Sequence, residues 1–172
     1  HRHSIKVLLQ FLRRRIVQVL ILLLKILYIC RINPIDMEVI NLGARNSILN
    51  KFVAQMRDKA VQKDSMRFRR NVERIGEIMS YEISKTLNYA PKAVNTPLGT
   101  AMVNLPTDNI VLATILRAGL PLHQGFLNYF DSAENAFVSA YRKGISEADF
   151  TIALEYLASP SLEGKTLIIA DP

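Results

Sequence analysis

The stretch Ile110-Val111-Leu112-Ala113-Thr114-Ile115-Leu116-Arg117-Ala118-Gly119-Leu120-Pro121 decides the fold class. Residues 110–115 form a short, apolar, β-branched run, as expected of a strand buried in a parallel sheet. Arg117-Ala118-Gly119 then breaks the run. Pro121 suits the first turn of a helix, where a missing N–H costs nothing, and the predicted helix continues to Phe130. Strand, small-residue loop and helix in succession are the start of a βα unit in an α/β domain.

The rest of the chain extends this reading. Downstream, residues 136–141, 150–157 and 166–170 read as further strands, with a turn at 159–165 that holds Pro160 and Gly164. Upstream, Ile48, Leu49, Phe52, Val53 and Met56 recur at helical spacing after Ser47. Asp64 is a candidate cap for a second helix from Ser65, with Phe68, Val72, Ile75, Met79, Ile83 and Leu87 as its apolar face. Its opposite side carries Arg67, Arg70, Arg74 and Glu77, and residues 88–91 end it. Residues 94–103, turning at Pro97-Leu98-Gly99, read as a small hairpin. The expected architecture is α/β: a mostly parallel sheet flanked by helices, with N-terminal helices and a small hairpin.

Composition narrows the function classes. Hydrophobic residues make up 49% and charged residues 22% of the 172, enough to bury a core and to exclude a disordered chain. The formal charge of +7 is unevenly placed. Residues 1–36 hold seven Lys/Arg and one acid, so the remainder is close to neutral. A nucleic-acid footprint spread over the chain is thereby disfavoured. One cysteine, Cys30, and the histidines His1, His3 and His123 supply neither a disulfide framework nor a zinc cluster. A Walker loop, a G-x-S-x-G elbow and an H-E-x-x-H helix are all absent.

Residues 1–36 do not match the body. Arg13-Arg14-Arg15 precedes the apolar run 16–30, which is interrupted by Gln18 and Lys25. A basic region before a hydrophobic one reads as a signal anchor, an interfacial helix, or an upstream translated segment foreign to the domain that opens at Met37. Membrane attachment is expected only if that leader is genuine. At the other end, the chain stops at Asp171-Pro172 directly after an apolar strand. The expectation is a fragment, incomplete at its C-terminus and inactive by itself.

In open α/β sheets, ligands bind beyond the carboxyl ends of the strands. Arg117, Arg142 and Asp171 stand at three such ends. Arginine grips phosphate oxygens through paired donors. Gly119 permits close backbone approach, and the helix after it offers N–H groups and a positive dipole end. Asp171 can accept from sugar hydroxyls or contact magnesium-bound water. Each charge alone also has a plain reading, as a solvated loop residue or, for Asp171, as a turn signal before Pro172. The run Arg67-Phe68-Arg69-Arg70 reads chiefly as a solvated helix face paired with Glu73 and Glu77, with phosphate or subunit contact by Arg67 and Arg69 as the minor alternative. His123 reads as structural.

Ile115-Leu116-Arg117-Ala118-Gly119-Leu120, Tyr141-Arg142 and Ile169-Ala170-Asp171-Pro172, in this order, resemble the uracil phosphoribosyltransferase family. Arg67-Phe68-Arg69 and Tyr81-Glu82 also fit its amino-terminal helices. The resemblance covers about residues 37–172 and implies a type I phosphoribosyltransferase fold. It implies transfer of a phosphoribosyl group from phosphoribosyl pyrophosphate to uracil, with magnesium accompanying the pyrophosphate. Arg117 and Arg142 would contact the donor, supported by Leu116, Ala118 and Gly119. Asp171 and Pro172 would open the loop that cradles the ribose and its phosphate. The resemblance further implies a cytoplasmic homo-oligomer, in some members responsive to GTP. The chain departs from the family after Arg142, where Lys143-Gly144-Ile145-Ser146 replaces an acidic segment, and the base-reading region is absent. Two other readings compete: a non-catalytic nucleotide-sensing module on the same fold, and a membrane-tethered protein.

Overall fold

The computed structural model describes residues 39–143 and 151–172. The leader and the Gly144–Ser146 departure therefore lie outside the described residues.

Local capping signals act where the sequence places them. Helix α1 (Ile48–Arg57) begins after Ser47, whose hydroxyl accepts from the Leu49 N–H at 3.2 Å. Helix α2 (Ser65–Ser84) begins after Asp64, whose carboxylate accepts from the Arg67 N–H at 3.0 Å. The buried side of α2 keeps the predicted Val72, Ile75 and Ile83, and Leu87 is buried just beyond the helix, but small and polar residues join it and Phe68 does not. Asn71, Val72, Ile75, Gly76, Ser80 and Ile83 are buried, whereas Phe68 remains 39% exposed. The cause is a close approach by helix α3 (Leu120–Leu127), in which Gly125 sits against Gly76. Contact between two glycines turns the small residues of α2 inward. Asn71 is satisfied there, donating to Gln55 Oε1 at 2.9 Å and accepting from Arg74 at 3.2 Å. Ser80 donates to the Gly76 carbonyl at 2.8 Å. Helix α3 starts one residue before Pro121 and stops at Leu127, short of the predicted Phe130.

The hairpin is longer than predicted. Strands β1 (Tyr89–Thr96) and β2 (Gly99–Pro106) pair antiparallel from Thr96↔Gly99 to Tyr89↔Pro106. Pro91, expected to help end α2, lies within β1. Its base is clamped, which carries pairing past the predicted limits. Asp108 accepts from the Asn88 N–H at 2.6 Å, and the Asn88 carbonyl accepts from the Thr107 N–H at 2.9 Å.

The main sheet has strand order β5-β4-β3-β6. Its members are β3 (Ile110–Leu116), β4 (Glu134–Lys143), β5 (Thr151–Ala158) and β6 (Thr166–Ala170). Central β3 runs parallel to both β4 and β6, while β5 runs antiparallel to β4. The connection 144–150 is too short for a crossover helix, so β5 must return antiparallel. Val111 and Leu112 are fully buried at the centre. Leu112, Ile168 and Ala170 share one apolar cluster with Leu49, Val72, Ile75, Ile83, Leu122 and Phe126 of the helices. Val111, Ala113, Ala136 and Leu167 form a second, smaller cluster. The domain is thus an α/β fold, as the sequence pattern predicts, and its sheet is mixed, with β3 parallel to both neighbours and β5 antiparallel at the edge.

Candidate functional site at the ends of three strands

The parallel register puts two sequence-predicted segments side by side. Thr114 on β3 pairs with Ala170 on β6, so the chain leaves the sheet toward Arg117 and toward Asp171 at nearly the same level. A side-chain bond reinforces the pairing. The Thr114 hydroxyl, fully buried, donates to the Ala170 carbonyl at 2.8 Å.

The loop after β3 is tight. The Leu116–Arg117 peptide bond is cis. The Gly119 N–H donates to the Ile115 carbonyl at 3.0 Å, and the Leu120 N–H to the Arg117 carbonyl at 3.3 Å. These bonds occupy two amides near the start of α3, and Pro121 has none. Arg117 and Ala118 are left as the exposed part of the loop. Gly119 itself has an ordinary helical φ of −73°. Its need is for space. A Cβ there would lie 2.0 Å from Thr114 Oγ1, 2.8 Å from the Ala170 carbonyl oxygen and 2.9 Å from that of Ile115. The room left by the missing side chain is filled by the protein's own β3 and β6.

Asp171 follows directly on β6 and is half-buried, with Pro172 exposed beside it. Burial pushes the Asp171 carboxyl above its ordinary value of 3.8. A carboxylate in that setting is relieved by a cation or by hydroxyl donors. Arg142, expected just after a strand ending at residue 141, lies inside β4, because pairing with β5 carries that strand on to Lys143. Ser139 is the β4 partner of Leu116, so Arg142 stands three residues further on, about 10 Å along the strand. Its backbone pairs with Ile152 of β5.

Arg67 and Arg69 are not brought to these strand ends. Glu73 of α2 accepts from Asn128, just past the end of α3, while Gly76 meets Leu122 and Gly125. The helices are therefore antiparallel, and the start of α2 lies away from Gly119. Arg67 is exposed and paired with Asp64 at 3.4 Å. Arg70 pairs with Glu73 as expected, whereas Glu77 accepts from Asn128 at 2.8 Å.

His123 is buried on α3. Its Nε2 lies 2.7 Å from Asn135 Oδ1, and its ring packs on Phe137 with centroids 5.4 Å apart. Removal from water holds the imidazole below its ordinary 6.5, and the Asn135 contact opposes this in part. Sequence reasoning missed Thr114. The signal was available, since Thr114 is the one polar residue in the run 110–116.

The model of the uracil phosphoribosyltransferase family matches residues 44–172. The chain belongs to this family. A uracil phosphoribosyltransferase from Porphyromonas gingivalis is 60% identical over 136 residues, which cover 79% of this chain and 63% of that protein. One from Methanothermobacter thermautotrophicus is 38% identical over 129 residues, covering 74% and 58%. A solved structure of a protein from Aquifex aeolicus superposes with a TM-score of 0.68 at 26% identity, covering 78% of this chain and 62% of that one. The chain thus spans about three-fifths of the length of these family members. Among the described residues, no helix is long and apolar enough to cross a membrane.

Proposed function

We propose that the protein to which this chain belongs transfers a phosphoribosyl group from phosphoribosyl pyrophosphate to uracil, yielding uridine monophosphate and pyrophosphate. The observation that carries the reading is the adjacency of the Leu116–Gly119 loop and Asp171 on neighbouring parallel strands, joined through Thr114 and Ala170. That adjacency suits a donor with phosphates at one end and a ribose beside them.

Cleavage at the anomeric carbon builds positive charge on the sugar and negative charge on the departing pyrophosphate. Stabilising the leaving group needs fixed positive charge rather than a protein nucleophile. Arg117, exposed at the loop, would grip the pyrophosphate, with Leu116, Ala118 and Gly119 shaping its seat. Arg142, farther along β4, would reach an outer phosphate. Asp171, followed by Pro172, would accept from the ribose hydroxyls. Magnesium, when bound with the pyrophosphate, adds charge neutralisation at the leaving group. Among the described residues, no three His, Cys, Asp or Glu side chains gather to hold a metal. The donor set fits an ion carried mainly by substrate phosphates, with Asp171 as the nearby carboxylate.

The family match from residue 44 supports a domain starting near Met37, the separate leader at 1–36 rests on its basic and apolar composition, and the family relationship supports a cytoplasmic homo-oligomer with GTP as an activating ligand. The test is product formation from labelled uracil and phosphoribosyl pyrophosphate by the full-length protein. Uridine monophosphate formation that requires both substrates supports the reading. Nucleotide binding without turnover would favour a sensing module instead.

A further inference from the structure

We infer that Thr114 is a positioning residue for the donor site, holding the Arg117 loop and the Asp171 segment in mutual register. This rests on the donor-binding reading above, and adds to it a buried residue that touches no substrate.

The geometry carries the inference. Thr114 is wholly inaccessible to solvent, so it acts only through its neighbours. Its hydroxyl donates to the carbonyl of Ala170, the residue directly before Asp171. The same oxygen lies 2.0 Å from where a Gly119 Cβ would be, so the turn that carries Arg117 and Ala118 closes onto this hydroxyl. One oxygen therefore meets both segments, at a point where residues 56 positions apart in sequence come together. A hydroxyl inside an apolar strand needs a partner. An apolar residue at this position would fill a buried strand as well without that requirement. What the hydroxyl adds is a directional tie between the two strand ends. Sites for charged ligands depend on such supporting bonds, since small displacements of the binding groups weaken binding steeply.

The test is calorimetric titration of magnesium pyrophosphate into the full-length protein and its Thr114→Ser, Thr114→Val and Thr114→Ala variants. Urea unfolding is followed in parallel. Thr114→Ser keeps the hydroxyl and is expected to bind within about twofold of the parent. Thr114→Val keeps the volume and loses the donor, and is expected to bind about tenfold more weakly. Thr114→Ala takes its place in the comparison if the valine variant does not fold. Selective loss of binding, at protein concentrations where each variant is fully folded, with rescue by serine, supports the positioning role. Equal binding by the hydroxyl-free variants overturns it. So does a binding loss accounted for by the unfolded fraction. If the full-length parent binds no pyrophosphate while the variants fold normally, the donor-site reading itself fails, and this inference with it.

Discussion

Gly125 of α3 lies so close to α2 that a Cβ on it would stand 2.1 Å from the Glu73 carbonyl oxygen and 2.9 Å from Gly76 Cα. The two helices meet backbone to backbone. Because α3 follows the Arg117 loop directly, this contact also sets where that loop begins its turn. Gly125→Ala gains intrinsic helix propensity, worth about 1 kcal/mol. The clash is with backbone, which cannot move aside as a flexible side chain can. Net destabilisation of about 1–3 kcal/mol is expected, read as a lower urea midpoint. A midpoint at or above the parent's would show that the helices separate freely.

Asp108 joins the hairpin to the sheet. It accepts from the Asn88 N–H, from the Asn88 side chain at 3.2 Å and from the Thr166 hydroxyl at 2.8 Å. Asp108→Ala leaves these donors without their carboxylate partner. A loss of about 1–3 kcal/mol is expected from urea unfolding. Amide exchange at Asn88 should also accelerate. Protection unchanged at that amide would mean that the hairpin base is held by other contacts.

His123 makes stability depend on pH. Its folded value is depressed below 6.5 because burial disfavours the imidazolium. Between the folded value and 6.5, the unfolded chain binds more protons than the folded one, so stability rises with pH through that window. Its contribution is present above about 6.5 and is lost as pH falls toward the folded value. The urea midpoint should drop between pH 7.5 and pH 5.5. His123→Gln retains an amide to face Asn135 and removes the titration, and it should flatten that difference. An unchanged pH response in the variant would assign the effect to other groups.

Arg117 is exposed, so its removal should spare the fold. Arg117→Ala should weaken magnesium pyrophosphate binding about 10- to 100-fold, as expected for loss of charge-assisted bonds to an anion. The urea midpoint should stay near the parent's. Undiminished binding would remove Arg117 from the donor site.

Much of the fold was legible because its signals are local. Ser47 and Asp64 announce α1 and α2 through caps formed within three residues. The strand 166–170 is read correctly from five consecutive residues, TLIIA. Less local features were misread. Helical spacing identified an apolar face on α2 but left the partly exposed Phe68 inside it, because the contact with α3 that helps to set the buried side joins residues far apart in the chain.

The candidate site divides in the same way. Sequence by itself determined that a charge stands at or near the carboxyl end of each of three strands, since a polar residue must end an apolar run where the chain leaves the core, although Arg142 proves to be the penultimate residue of β4. It also determined the family, through the order of Arg117, Arg142 and Asp171. Only the tertiary structure decided which of these are level with one another. Parallel pairing of Thr114 with Ala170 sets the Arg117 loop beside Asp171, whereas β4 runs on beyond Ser139 and carries Arg142 outward. The reason is physical: strand register depends on backbone bonds and buried contacts between distant segments, and no single segment contains that information.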